Sequence, residues 1–311
     1  MKPVIKVENL VKRYKSADRN AVDGISFSVD PGEFFAFLGP NGAGKTTTIS
    51  ILTTTLSKSS GRVEIAGFDL DQNANKVRSL VGVIFQKPSL DLNLTAEENV
   101  RLHAVLYGLY SFRPTFAMMP PGYKKRVSEL AEVLGIEDEI FKPVKTFSGG
   151  MKRKMEIIRS LMHQPKVLFL DEPTEGLDPG SRRSLWEYLQ KIRREQETTF
   201  FLSTHYLEEA ELSDRVCIIK GGRVIALGTP LEIKKSITEE YLLVDAEDRH
   251  GLRKELEKSG LPFDEGQSFK VDIGRRSVQE IIQSIRTPLT LLKIHSPSLE
   301  DAYLEIVREE T

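Results

Sequence analysis

Residues 4–10, VIKVENL, and 25–29, ISFSV, alternate apolar and polar side chains with the two-residue period of half-buried strands. Asp30-Pro31-Gly32 is a turn signal, and the next segment, FFAFL at 34–38, is apolar throughout. Such a run predicts a strand covered on both faces. After a glycine-rich loop, KTTTISILTTTL can continue as a helix despite its β-branched residues. From about 95 to 145 the period becomes helical. Thr95-Ala96-Glu97-Glu98 has capping-box spacing, and Val100, Leu102, Leu106 and Leu109 follow as the expected apolar face. YKKRVSELAEVLGI predicts a second helix with Val127, Leu130, Val133 and Leu134 inward, after a proline- and methionine-rich connection over 113–122.

Buried strands then return. KVLFLDEP and TTFFLSTH are apolar runs that end in acids and in a histidine, and SRRSLWEYLQKIRREQ between them is an amphipathic helix with Leu185, Leu189 and Ile192 on one face. DRVCIIKGGRVIALG predicts two strands joined at Gly221-Gly222. Strands alternating with helices place the chain in the α/β class with a parallel sheet. Past Gly228-Thr229-Pro230 the elements shorten to EEYLLVDAE, GLRKELEKSG, QSFKVDIG, SVQEIIQSI, LTLLKIHS and SLEDAYLEIVREE, a β-α-β-α-β-α pattern. The expected division is a large domain over 1–232, with a helical subdomain at about 87–165, and a small α+β domain over 233–311. No internal repeat or low-complexity tract interrupts this order.

Composition narrows the function classes. The chain has 311 residues, 44 basic and 45 acidic side chains and a net charge of −1, so no nucleic-acid partner is expected from a basic excess. Its one cysteine, Cys217, sits in a strand and is expected to be a buried, inert thiol, in keeping with a reducing cytosol. No apolar run approaches the roughly 18–20 residues that cross a bilayer, so a membrane role is expected to come through a partner.

The candidate chemistry lies in three places. Gly39-Pro40-Asn41-Gly42-Ala43-Gly44-Lys45-Thr46 fits G-x-x-x-x-G-K-[ST], between a strand and a helix. Its glycines let backbone N–H groups turn inward around an anion, and the helix adds its positive N-terminal end. Lys45 would reach the β- and γ-phosphates and Thr46 would hold Mg²⁺. VLFLDE ends in Asp171, placed to bind Mg²⁺ through water, and Glu172, placed to polarise an attacking water. FSGGMKRK at 147–154 opens a helix with Ser148, Gly149 and Gly150, a second anion site.

At FSGGMKRK the chain resembles the nucleotide-binding subunit of an ABC transporter, and the resemblance runs from about residue 4 to 230. It implies a P-loop NTPase fold of the ABC type, a mixed α/β core with an antiparallel part and a helical subdomain. It also implies ATP and Mg²⁺ as ligands, and a head-to-tail pair of cassettes, identical or different, with two ATP molecules between them. Ser148, Gly149 and Gly150 of each copy would contact the nucleotide held by the other, with Asp178 of EGLDP in the cross-dimer loop. Tyr14 would stack on adenine, the loop 39–46 with Thr47 would hold the phosphates, and Gln86 would touch Mg²⁺ beside the contact with the membrane subunit. Glu172, His205, Lys45 and Gln86 would form the catalytic set. Met151 departs from the glutamine that many members carry. QKPSLDLNLTAEENV, YGL and SPSLEDAYLEIV resemble the drug-resistance-type exporter ATPases, which drive a separate permease of the ABC-2 class from the cytoplasmic face of the membrane. In that setting the stretch from 87 to about 125, with Tyr107, Tyr110, Phe112 and Phe116, is the expected docking surface, and the C-terminal domain would assist subunit pairing.

Two other classes stay open on sequence. A soluble ATPase of the same superfamily would be expected to carry a long coiled-coil insertion or two fused cassettes, and a GTP-dependent switch would need N-K-x-D. Asn75-Lys76 runs on to Val77-Arg78 instead.

Overall fold

A computed structural model describes residues 2–15, 17–86, 89–237, 241–274, 276–295 and 298–309. Lys87, Pro88, Glu239, Glu240, Ser296, Pro297 and Glu310, which belong to segments quoted above, lie outside the described residues. The chain forms two units, 1–227 and 228–311.

The first unit runs β1 (Ile5–Lys12), β2 (Val22–Val29), β3 (Phe34–Leu38), α1 (Lys45–Leu52), β4 (Ser60–Ile65), β5 (Phe68–Asp69), α2 (Ala74–Leu80) and β6 (Val81–Ile84). It continues through α3 (Ala96–Leu106), α4 (Pro121–Leu134), α5 (Gly149–Leu161), β7 (Val167–Asp171), α6 (Pro179–Gln196), β8 (Thr199–Thr204), α7 (Leu207–Glu211), β9 (Arg215–Lys220) and β10 (Arg223–Gly228). One sheet has the order β2-β1-β4-β5 and pairs antiparallel. The other has the order β10-β9-β3-β8-β7-β6, and its pairs from β9 to β6 are parallel.

β3 explains why FFAFL carries no polar residue. Phe34 packs into a core shared with the helical part, where its ring lies 4.8 Å from Trp186 and 5.1 Å from Phe200. Phe35 and Phe37 point the other way, into the core shared with the antiparallel sheet, against Phe27 and Phe201. A central parallel strand covered on both faces is thereby fixed at its C-terminal end, where the glycine loop begins.

The helical part corrects two expectations. Thr95 does cap α3 with a reciprocal capping box to Glu98. The face it buries is Ala96, Val100 and Ala104, whereas Leu102 and Leu109 are exposed and Leu106 is 84% exposed. Steps of four from Ala96 keep one helix face, and Leu102 and Leu106 lie two residues off that register. On the expected docking surface, Tyr107 and Phe112 are exposed, but Tyr110 and Phe116 are partly buried with their ring edges against the buried Tyr123. In α4, Val127, Leu130 and Leu134 are buried and Val133 packs at their margin. Cys217 is fully buried in β9, and burial raises its thiol pKa.

The second unit comprises α8 (Pro230–Ile237), β11 (Tyr241–Ala246), α9 (Arg249–Ser259), β12 (Phe263–Glu265), β13 (Phe269–Asp272), α10 (Val278–Ser284), β14 (Leu289–His295) and α11 (Leu299–Glu309). Its sheet is antiparallel in the order β12-β13-β11-β14, around a core that includes Leu242, Val244, Leu252, Phe269 and Val271. Residue 232, the expected domain limit, falls inside α8, which packs on α11.

Candidate active site

The loop after β3 folds back so closely that a Cβ is excluded at two of its glycines. Gly44 has φ +108°, and a Cβ there would stand 2.5 Å from the Ala21 carbonyl oxygen. Gly39 meets the Ile219 carbonyl oxygen at 2.3 Å in the same way. These contacts press the loop against neighbouring backbone on one side, and its other side lines a cleft of about 350 Å³. Pro40, Asn41, Gly42, Gly44, Lys45, Thr46, Thr47, Gln86, Glu172 and Glu175 border that cleft, together with Ala21. Ala43 is buried behind the loop. A larger hollow of about 1140 Å³ runs along α6 and α7 and holds none of these groups.

Lys45 is only 4% exposed. Its Nζ donates to the carbonyl oxygens of Gly39 at 2.7 Å and Pro40 at 3.2 Å, and lies 3.4 Å from Glu172 Oε1. A buried ammonium held on carbonyls and one carboxylate can transfer to a stronger anion without unfolding anything. Thr46 Oγ1 donates to Asp171 Oδ1 at 3.5 Å, so the hydroxyl and the acid stand together at the end of β7. Ser203, on β8, donates to the same Asp171 oxygen. Burial raises the Asp171 pKa; the Ser203 and Thr46 hydrogen bonds and the Lys45 charge oppose this, and the Glu172 charge adds to it.

Glu172 is turned away from Asp171 by its backbone. Its φ is +47°, a conformation seldom taken by a residue with a Cβ, and its N–H donates to Ser203 O at 3.1 Å. The side chain then approaches Lys45 on one oxygen and His205 on the other, with His205 Nδ1 at 3.3 Å from Oε2. Gln86 Nε2 donates to Glu175 Oε2 at 2.5 Å across the mouth of the cleft. Tyr14 is exposed, with its hydroxyl 3.3 Å from Thr47 Oγ1, and presents its ring beside the loop.

The Ser148 turn stands elsewhere. Ser148 is the N-cap of α5, its Oγ accepting from the Met151 N–H at 3.2 Å, and neither it nor Gly149 nor Gly150 borders the Lys45 cleft. Asp178 caps α6 beside that turn, accepting from the Ser181 N–H at 3.0 Å and from the Ser181 hydroxyl, bonds that lower its pKa. Gly150 lies against Ser181, where an added Cβ would meet the hydroxyl oxygen at 3.0 Å. Met151 rests partly buried on the helical core, so a polar side chain is not needed to hold the turn.

Three residues of this region escaped the sequence reading. Ser203 joins Asp171 and Glu172, Glu175 receives Gln86, and Glu209 accepts from both Thr174 and Thr204. Glu209 thereby ties the segment after Glu172 to the segment before His205, and burial raises its pKa. Ser203 stands two residues before His205 in FLSTH, and that adjacency was the available signal.

The match to known proteins follows this geometry. The family model described as ABC transporter matches residues 22–175. The chain is 35% identical to the Nod factor export ATP-binding protein I of Ralstonia nicotianae, over 99% of this chain and 95% of that one. It is 31% identical to the linearmycin resistance ATP-binding protein LnrL of Bacillus subtilis, over 97% and 98% respectively. Among solved structures, a dimeric ATP-binding cassette in a post-hydrolysis state with ADP and phosphate superimposes with a TM-score of 0.64 at 26% identity, covering 72% of this chain and 98% of that one. A glycine cradle, a buried lysine and a strand-end acid pair, in a chain matched along nearly its whole length by ATP-binding relatives, give one conclusion: the chain belongs to the ABC transporter family, as an ATP-binding, ATP-hydrolysing subunit of the exporter type.

Proposed function

We propose that two cassettes, this chain and a second copy or a close relative, close head to tail on two ATP molecules and so drive a separate integral-membrane permease. The observation that carries the reading is the separation of the two anion sites. Lys45, Thr46, Asp171, Glu172 and His205 converge on one cleft, while the Ser148 turn borders none of it. A phosphate-binding turn unused by its own cleft is available to the nucleotide of a mate.

Within this reading the loop 39–46 and Thr47 hold the phosphates, and Tyr14 packs on the base. Thr46 and Asp171, with Gln86 near them, would hold Mg²⁺, an ion that takes few protein oxygens and completes its shell with phosphate and water. When bound, Mg²⁺ neutralises charge on the β- and γ-phosphates. Glu172 orients and deprotonates the attacking water, and Lys45 and His205 face the charge that develops on the transferred group. Ser148, Gly149 and Gly150, with Asp178 behind them, complete the partner's site.

The named relatives support export as the direction, one in Nod factor export and one in linearmycin resistance. No helix among the described residues is long and apolar enough to cross a membrane. In this reading the cassette works at the cytoplasmic face of the cell membrane, against a permease of the ABC-2 class. The exposed side chains of Leu106, Tyr107 and Phe112 are its proposed contact. Residues 1–227 are assigned to the cassette and 228–311 to an accessory domain that assists pairing.

Ser148→Ala tests the central point. ATP affinity, measured by nucleotide titration at low protein concentration, is expected to stay near wild type while steady-state phosphate release falls. An equal loss of both would show that Ser148 serves its own cleft and refute the paired arrangement.

A further inference from the structure

Three charged side chains on α5 are spent on a single short loop. Arg153 is 4% exposed; its Nη1 donates to Phe85 O at 2.7 Å and to Glu156 Oε2 at 2.9 Å, and its Nη2 donates to Gln86 O at 3.1 Å. Glu156, 1% exposed, accepts the Ser89 N–H at 3.0 Å on its other oxygen. Arg159 donates to Ser89 O at 2.7 Å and to Ser89 Oγ at 2.6 Å. The backbone on both sides of Gln86 is thus gripped from one face of one helix. Loop carbonyls at the surface can be satisfied by water, so a buried ion pair is not required to solvate them. Burying that pair carries a desolvation cost, and its orientation toward 85, 86 and 89 points to a mechanical purpose. The same helix begins at the Ser148 turn. Arg153 stands five positions after Ser148, about 7.5 Å along the helix.

We propose that Arg153 and Glu156 are positioning residues. They fix the reach of Gln86 into the cleft and make it move with the Ser148 turn. Capture of a mate's phosphate at the start of α5 then sets Gln86 in its own cleft, linking the two sites of a pair through one rigid helix. The inference rests on the proposed roles of Ser148 and Gln86.

The test exchanges the ion pair for apolar side chains of similar volume, Arg153→Met with Glu156→Leu. Such replacements of buried pairs are commonly neutral or stabilising, so the melting temperature is expected to hold. Turnover is expected to fall at least about tenfold through kcat, a barrier change of about 1.4 kcal/mol. KM for ATP stays near wild type, and the Mg²⁺ concentration for half-maximal turnover rises. Gln86→Ala should show the same pattern, and adding it to the double variant should cost little more, because both act through one group. Fully additive losses, or wild-type turnover and Mg²⁺ dependence in the double variant while Gln86→Ala is impaired, would overturn the link and leave the functional reading intact. Wild-type turnover in both Gln86→Ala and Ser148→Ala would instead remove that reading and this inference with it. If the double variant melts early, Arg153→Lys carries the test. Its ammonium keeps the charge beside Glu156 but lacks the fork that reaches Phe85 O and Gln86 O together. Turnover is expected to fall with the same Mg²⁺ signature, and wild-type turnover and Mg²⁺ dependence would overturn the proposal.

Discussion

Glu172→Gln separates holding ATP from breaking it. The substitution keeps the size and shape of the side chain and removes its basicity. Lys45 retains its two carbonyl acceptors, Gly39 O at 2.7 Å and Pro40 O at 3.2 Å, and the amide oxygen still faces it, so the cleft should keep its form. The strand-end geometry should also survive, because the bonds that turn the backbone come from the residue's N–H to Ser203 and not from its carboxylate. Loss of a positioned general base costs roughly 10² to 10⁴ in rate. At about 1.4 kcal/mol per tenfold, that raises the barrier by about 3–5 kcal/mol. Binding should move in the other direction or not at all. The carboxylate 3.4 Å from Lys45 competes with phosphate for the ammonium, and neutralising it also removes a negative charge near the site of the γ-phosphate. ATP affinity is therefore expected to rise or to change by less than about tenfold, 1.4 kcal/mol. Phosphate release at saturating ATP and Mg²⁺ measures the first quantity, and titration with a fluorescent nucleotide measures the second. Turnover within about threefold of wild type would show that Glu172 is not the base. A parallel loss of binding would show that it is a structural partner of Lys45.

Two further outcomes test the cradle and the strand-end acid. Gly44→Ala places a Cβ 2.5 Å from the Ala21 carbonyl oxygen at a φ of +108°, whereas Gly42→Ala, at +79°, meets nothing within 4 Å. Both carry a backbone cost of about 1–3 kcal/mol, but only Gly44→Ala must also displace backbone. It is expected to melt at lower temperature and bind ATP more weakly than Gly42→Ala, and equal behaviour in both assays would contradict the close packing of the loop. Asp171→Asn tests the burial of the strand-end acid. Burial raises the folded-state pKa above the ordinary 3.8, so this group's contribution to stability is complete below 3.8 and is lost as pH rises through the raised folded value. With no nucleotide or Mg²⁺, the asparagine variant is expected to melt above wild type near neutral pH, and the gap should close as pH falls toward 3.8. A gap that widens on acidification would mean that the carboxylate is stabilised in the folded state.

The parts of this site that were legible in sequence are those fixed by local rules. The loop 39–46 is constrained by its own backbone, and FFAFL by burial on both sides, so each could be read where it stands. The Thr95 capping box is a four-residue motif and folds as one. What failed depended on tertiary choice. α3 buries Ala96 and Ala104 in the core it shares with α4 and α5, and leaves the larger Leu102 and Leu106 outside. Hydrophobicity ranked those residues in the wrong order because close packing favours the side chain that fits. Arg153 and Glu156 were invisible for a related reason. Lys, Arg and Glu at the start of a helix read as a solvated face, and only the fold brings Phe85, Gln86 and Ser89 over them.

Asp171 and Glu172 show most directly how adjacent, chemically similar residues can be given different work. In a continued strand they would point to opposite faces of the sheet, and one would meet the apolar core. The chain instead leaves strand geometry at Glu172, where φ is +47°. Asp171 stays within the sheet end, buried among the hydroxyls of Ser203 and Thr46, an environment suited to sharing a hard cation. Glu172 emerges between an ammonium and an imidazole and borders the cleft, the position the proposed general base requires. The side chains differ by one methylene; what separates their surroundings is the backbone at Glu172. The strain at that residue is held by Ser203, whose hydroxyl serves Asp171 and whose carbonyl receives the Glu172 N–H. Under the proposed roles, one serine on the neighbouring strand would set the division of labour between the two acids.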